Sequence, residues 1–240
     1  MNIKHLCIII PAKNEEQLLP RCLRSILEAC KNIPDSISVD IILCVNDSTD
    51  ATFQIGQQMI NRRGVVIEKN HTNVGMARKY ATQKALKRYT GPLEECWLAN
   101  TDADCEVPLN WLTTHLFWAS QGIDAITGIV VVDSYREHDS QVAELFQNQY
   151  IINEDCSHPH IHGANLGIRA DVYKKIGGWN NLATAEDHDL WSRLKKFDFN
   201  LISHSTLWVT TSGRKQGRAP HGFAGKLASY NGKQNEQNSQ

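Results

Sequence analysis

The chain has 240 residues, 41% hydrophobic and 21% charged, with a formal net charge of −1. That length buries a substantial core, as one large domain or two small ones. The near-zero charge argues against nucleic acid as a bulk electrostatic partner, and no apolar run approaches the about 18 residues of a transmembrane segment.

In chain order, Leu6 to Ile10 is a continuous apolar run, the pattern of a strand buried on both faces. It is too short for a secretory leader and ends in the polar loop Pro11 to Glu16. Leu19, Cys22, Leu23, Ile26, Leu27 and Cys30 recur at helical spacing, with Pro20 near the helix start. Val39 to Val45 is the second strand, followed by Asn46-Asp47-Ser48-Thr49-Asp50 and a helix from about Ala51 to Asn61. Gly64 to Glu68 reads as the third strand, and Met76 to Tyr89 as a basic helix that Gly91-Pro92 ends. Cys96 to Ala99 begins the fourth strand, which runs into Asp102 and Asp104. Helices are expected from Pro108, over Glu144 to Ile152 and over Ala185 to Phe197 with Thr184 as N-cap, and strands over Ala125 to Val132 and Leu207 to Thr210. The segment 231–240, rich in Asn, Gln and Ser, is expected to be disordered.

Strands alternating with helices predict an α/β fold with a mainly parallel sheet and helices on both faces. Ligands of such sheets bind beyond the carboxyl ends of the strands, where the polar loops after the first, second and fourth strands would converge. No Gly-x-Gly-x-x-Gly follows the first strand and no Gly-x4-Gly-Lys-Ser/Thr occurs, so neither a dinucleotide Rossmann site nor a P-loop is expected. The seven cysteines are odd in number and form no Cys-x-x-Cys, and several sit in apolar strands. Reduced thiols in a cytoplasmic protein fit that pattern, with peripheral membrane contact through a partner or a lipid substrate left open.

If the strand stays extended to Asp104, Asp102 and Asp104 point to one side, offering hard oxygen ligands to Mn²⁺ or Mg²⁺. With 14 Asp in the chain, about one Asp-x-Asp arises by chance, and a second one stands at Asp187 and Asp189. Its place at a strand end is what gives the first its value. Arg78, near a helix N-terminus, suits phosphate or else a solvated helix face. The Gly-punctuated segment Thr210 to Pro220 carries Arg214, Lys215 and Arg218, a set able to fold over a diphosphate as a lid. His204 is a candidate third metal ligand. His158, His160 and His162 stand at alternate positions, but Pro159 breaks regular pairing, so substrate contacts or plain loop residues are preferred over zinc.

Taken in order, these clusters resemble the family 2 glycosyltransferases of the GT-A fold. The segments carrying the resemblance are Ile10 to Glu16, Val45 to Thr52, Asn73-Val74-Gly75-Met76-Ala77-Arg78, Thr101 to Asp104, Gly163-Ala164-Asn165 through Gly177-Gly178-Trp179, and Glu186-Asp187. The resemblance implies a nucleotide-diphospho-sugar donor in the N-terminal half and an acceptor hydroxyl in the C-terminal half. The acceptor would be a saccharide, a lipid-linked molecule or a small molecule. It implies that Pro11, Ala12 and Glu15 border the nucleoside, that Asp102 faces ribose or metal, that Asp104 binds metal, and that Asp187 is the base of an inverting transfer. His162, Gly163, Trp179 and Glu186 fall on the acceptor side. The second loop lacks the family's usual Gly before Ser48 and is a residue shorter, so Asn46 and Asp47 both stand for the nucleobase position. Lys79 replaces the usual Asn after Arg78.

A single domain over 1–230 is expected, with a donor half of about 1–107 and an acceptor half of 108–230. A sugar-phosphate nucleotidyltransferase, the competing enzyme class, would carry a Gly-rich basic loop after the first strand, whereas Pro11 to Glu16 is acidic and lacks Gly. A non-catalytic nucleotide-sugar binder would have no need of Asp187 beside Asp104.

Overall fold

The computed structural model describes residues 2–218 and 222–233. Its centre is a seven-stranded sheet of order β3-β2-β1-β4-β6-β5-β7. The strands are β1 (His5–Ala12), β2 (Ser38–Asn46), β3 (Gly64–Lys69), β4 (Cys96–Thr101), β5 (Ala125–Val132), β6 (Asn165–Arg169) and β7 (Leu201–Thr211). β1 to β4 are mutually parallel, β6 runs antiparallel to both β4 and β5, and β7 runs parallel to β5. The helices are α1 (Leu19–Cys30), α2 (Thr52–Ile60), α3 (Val74–Arg88), α4 (Trp111–Ser120), α5 (Val142–Gln149), α6 (Ala170–Lys175), α7 (Glu186–Leu194) and α8 (Phe223–Ala228).

All eight residues of β1 are buried, because alternate side chains serve two cores. Leu6, Ile8 and Ile10 join the core under α1, α2 and α4, while Cys7 and Ile9 join the one under α3, α6 and α7. On α3 the buried positions Ala77, Ala81 and Ala85 recur every fourth residue, so the helix lies close on β1 and β2. Asn73 caps α3 by accepting the Met76 N–H at 3.0 Å. Gly75 follows, and a Cβ there would lie 2.5 Å from the Asn180 carbonyl oxygen and 2.7 Å from that of Leu182. The missing side chain lets the loop leading to α7 dock on the start of α3.

Four expectations are corrected. β4 ends at Thr101, and a turn closed by the Cys105 N–H on the Asp102 carbonyl (3.1 Å) carries the two aspartates. They face one cleft because Ala103 between them and Cys105 after them are buried, not because a strand continues. α4 starts at Trp111, not Pro108, after a turn in which Trp111 N–H donates to the Pro108 carbonyl. α7 is entered through Ala185 in a left-handed conformation (φ 56°), and Thr184 supplies no cap. The beginning of the supposed tail is held, since Asn231 Oδ1 accepts the Asp139 N–H and Gly232 N–H donates to Asp139. Residues 234–240 of that tail lie outside the described residues, as do Ala219 and Pro220 of the expected lid.

β7 starts six residues earlier than its apolar run suggests and leaves register with β5 between Thr127 and Ile129, where Ser203 and then Trp208 are the partners. Buried Asn165 bridges this gap, donating to the carbonyls of Ile129 and Leu207 and accepting from Trp111 Nε1. His204 sits in the bulged segment.

The core also holds ionisable groups. His115 has no exposed surface, accepts from Trp97 Nε1 at 3.2 Å, and burial draws its pKa down to about 3. Burial, with neighbouring His160, draws that of His158 to about 4. Both folded values lie below the unfolded one, so the stability they permit is complete above about pH 6.5 and is lost as pH falls. Urea unfolding at pH 7, 6 and 5 should therefore show declining stability. His115→Gln should flatten the decline by up to about 1.4 kcal/mol per pH unit; an unchanged slope would show that His115 does not resist protonation.

Candidate active site

Two adjoining cavities open at the carboxyl ends of β1, β2 and β4, as the convergence of polar loops predicts. The first is lined by Pro11, Ala12 and Glu15 after β1, by Asn46 at the end of β2, by Asp102 and Asp104 after β4, and by Arg214 and Arg218 after β7. The second is lined by Arg78 of α3, by His162 and Gly163, and by Glu186 and Asp187 at the start of α7. Asp102 belongs to both.

The structure separates Asn46 from Asp47. Asp47 has a left-handed backbone (φ 44°) and turns its carboxylate to the N–H groups of His71 (2.7 Å) and Thr72 (3.4 Å). The His71 bond leads in drawing its pKa down. It fastens the loop before α3 and does not line the cavity. Asn46 is 5% exposed and donates through Nδ2 to the Thr72 carbonyl at 3.3 Å. Its Oδ1 is buried without a partner among the described residues. An acceptor left so is costly unless a ligand completes it.

The acids of the first cavity are neutralised from within the chain. Arg214 grips Glu15 with both terminal nitrogens, at 2.9 and 2.8 Å, and reaches Asp104 at 2.8 Å. Arg218 donates to the Asn14 carbonyl at 2.9 Å. The backbone of this segment is anchored where Gly213 N–H meets Asp133 and Lys215 N–H meets Glu137. Burial pushes the Asp104 pKa up to about 7: Arg214 opposes the rise, while Asp102 and Glu15 add to it. Crowded hard oxygens that need a cation suit Mn²⁺ or Mg²⁺, so Asp104 and Asp102 fit a divalent ion. Among the described residues, no group of three or more His, Cys, Asp or Glu side chains forms a metal cluster.

In the second cavity Asp187 Oδ2 accepts the Gly163 N–H at 2.7 Å, and Oδ1 accepts the His188 N–H at 2.8 Å. Glu186 is buried and accepts from Arg78 Nε at 3.2 Å; burial raises its pKa against the pull of Arg78. His162 Nε2 lies 2.8 Å from the Tyr150 hydroxyl, which also accepts the Val130 N–H. The hydroxyl therefore donates to an imidazole that burial keeps neutral, with a pKa of about 3.

Besides Asp47, two assigned residues fall outside the cavities. Trp179 is 1% exposed and lies under the Arg78 guanidinium, 5.5 Å from its ring, so it supports that arginine and touches no acceptor space. His204, in the β7 bulge, pairs with Thr206 at 2.8 Å and packs on Trp118, seven residues up the strand from Thr211 at the cavity mouth. It is not a ligand partner of Asp104. Arg78 is occupied by two carboxylates rather than open as a phosphate clamp. Phe223 and Lys226 of α8 line the second cavity, and Tyr150 holds its His162, without any local sequence signal, because each comes from a distant element.

Solved structures share this architecture. The chain resembles S. aureus TarS 1-349 in complex with UDP-GlcNAc (TM-score 0.65, 15% identity), over 91% of this chain and 60% of that one. It resembles the mannosyltransferase PcManGT from Pyrobaculum calidifontis in complex with GDP-Man and Mn²⁺ (TM-score 0.65, 16% identity, 95% of this chain and 69% of that one). It also resembles GalNAc-T7 with UDP, GalNAc and Mn²⁺ (TM-score 0.65, 16% identity, 94% and 47%). At such identities these likenesses establish the GT-A fold. The chain spans about 60% of the length of the TarS fragment. No curated protein matches it in sequence. The family model described as glycosyl transferase family 2 matches residues 7–177, most of the chain, and the protein belongs to that family.

Proposed function

We propose that the protein transfers a sugar from a nucleotide-diphospho-sugar to an acceptor hydroxyl, with inversion, using Asp187 as base and a divalent cation at Asp104. The observation carrying this reading is the pair of cavities joined through Asp102. One holds an acid cluster, two arginines and an unpaired buried amide oxygen, and the other holds a carboxylate aimed by a backbone N–H. The family membership and the nucleotide-sugar and Mn²⁺ complexes of the similar structures support it.

In this reading Asn46 Oδ1 receives a nucleobase N–H. Asp104, with Asp102, holds Mn²⁺ or Mg²⁺, which supplies Lewis-acid stabilisation of the leaving diphosphate. Arg214 and Arg218 pass from the carboxylates to the diphosphate once the donor binds. Asp187 accepts the acceptor hydroxyl proton while the new bond forms at the anomeric carbon and the bond to the β-phosphate oxygen breaks with its electron pair. Attack from the second cavity meets a leaving group in the first, on the opposite face of the sugar, and inverts the centre. No helix among the described residues is long and apolar enough to cross a membrane.

Three measurements test this. Asp187→Asn should lower donor turnover by about 10²–10⁴-fold, the usual worth of a general base, with nucleotide binding retained; wild-type turnover would remove Asp187 from the role. In thermal shift with Mn²⁺, UDP, GDP or dTDP should raise the melting temperature more than CDP or ADP. Uracil, thymine and guanine present a ring N–H to the Asn46 oxygen, whereas cytosine and adenine present a ring acceptor. A preference for CDP would overturn that orientation. Arg214→Gln should move two affinities in opposite directions: Mn²⁺ alone binds tighter once Glu15 and Asp104 lose their internal cation, and UDP with Mn²⁺ binds about tenfold weaker. Calorimetry showing both affinities falling together would mean that Arg214 only braces the acids.

A further inference from the structure

Outside the two cavities, α3 and α6 border a groove of about 470 Å³ in which the transfer reading has no part. Lys79 and Lys87, on one side of α3, and Lys174 of α6 supply its charge. Leu86, Leu93 and Tyr173 supply an apolar lining between them. Among the described residues no acid lines this groove. The Gly177-Gly178 turn at its margin is left-handed at both residues (φ 83° and 69°). Arg193 of α7 fixes that turn, donating to the carbonyls of Ile176 at 2.6 Å and Gly178 at 2.7 Å. The groove and the end of α7 are therefore parts of one surface.

Beyond α7 the same character continues. Lys175 Nζ lies 5.9 Å from the Phe197 ring and 5.0 Å from that of Phe199. Lys195 and Lys196 directly precede Phe197, which is 43% exposed. Among the described residues the lysines held in ion pairs are Lys4 and Lys31, so none of these six has a carboxylate partner. Glu94 and Asp198 adjoin the surface in sequence, but they are exposed and do not line the groove. Six cations against two anions make this face positive in a chain whose formal charge is −1. We propose that it docks the protein on a bilayer containing anionic lipid, with a headgroup phosphate among Lys79, Lys87 and Lys174 and Phe197 in the interface. The charge calls for an anion, and the leucines between the lysines favour one joined to acyl chains, along which lysine stems can also lie. A single-stranded nucleic acid would need rings free to stack. Tyr173 is only 6% exposed and its hydroxyl accepts the Trp179 N–H at 3.1 Å, while Phe197 and Phe199 stack on each other at 5.5 Å. Because α3 lies along β1 and β2, a bilayer against this face leaves both cavities open at the strand ends.

Cosedimentation of the full chain with vesicles tests this. Vesicles of equal phosphatidylcholine and phosphatidylglycerol should bind it at least about tenfold tighter than phosphatidylcholine alone, and added salt should weaken that binding. The triple variant Lys79→Gln, Lys87→Gln, Lys174→Gln, with its melting temperature unchanged, should bind about 100-fold weaker. Should the triple variant lose its fold, Lys174→Gln alone, at an exposed side chain, must still lower binding about fivefold. Phe197→Ser should weaken binding while leaving its salt dependence as it was. Equal binding to the two vesicles, or binding to neither, overturns the proposal, as does binding that the lysine substitutions leave untouched. Displacement by millimolar glycerol phosphate would mean a site for a free phosphate and not a bilayer. Lysine-dependent capture of single-stranded RNA without vesicle binding would assign the face to nucleic acid instead.

Discussion

The buried Arg78 guanidinium is the interaction on which the two halves of the molecule depend. It arises on α3 in the N-terminal half, pairs with Asp102 after β4, and reaches across to Glu186 on α7. Taking such a charge out of water costs several kcal/mol, offset only when the partners are close and fixed. The surroundings supply that fixity: the alanine face that lets α3 settle on the sheet, Gly75 that lets the Asn180–Leu182 loop dock, and Gly163 that leaves room for the guanidinium. Losing both carboxylates would strand the charge; breaking even a single typical buried pair costs about 3–5 kcal/mol. One ion network thus fixes the relation between the two cavities.

A second consequence of packing acids together is that the first cavity carries its own counterion. Glu15 and Asp104 converge because β1 and β4 are neighbours in the sheet and both end at the same edge. Without a cation they would repel, and Arg214 fills that need from the far side of the sequence. In the transfer reading proposed above, the same guanidinium would leave these carboxylates for a diphosphate when the donor binds.

Much of the fold is legible in the sequence where burial is complete. Leu6 to Ile10 and Ala125 to Val130 read as strands because both faces are covered and charged residues have no place there. The ends of β1, β2 and β4 could be read because polar residues cluster after apolar runs. Legibility fails where non-local contacts decide. β6 has five residues, with Asn165 and Gly167 among them, and exists because β4 and β5 flank it. Asn46 and Asp47 are adjacent and chemically alike, and only the backbone turn at Asp47 separates the cavity residue from the loop fastener. Trp179 belongs to the right motif but acts through Arg78. His204 looked like a metal ligand because its distance from the site depends on a bulge that no local pattern announces.

The Arg214–Glu15 contact joins residues 199 positions apart. It has a meaning for how the molecule is made. As the chain emerges, β1 to β4 can find one another and bring Glu15, Asp102 and Asp104 to one edge long before residue 214 exists. Through that interval the nascent half presents an unbalanced acidic hollow, to which a free divalent ion is the nearest available counterweight. Arg214, synthesised well after Asp104, then discharges the hollow, so the site matures late.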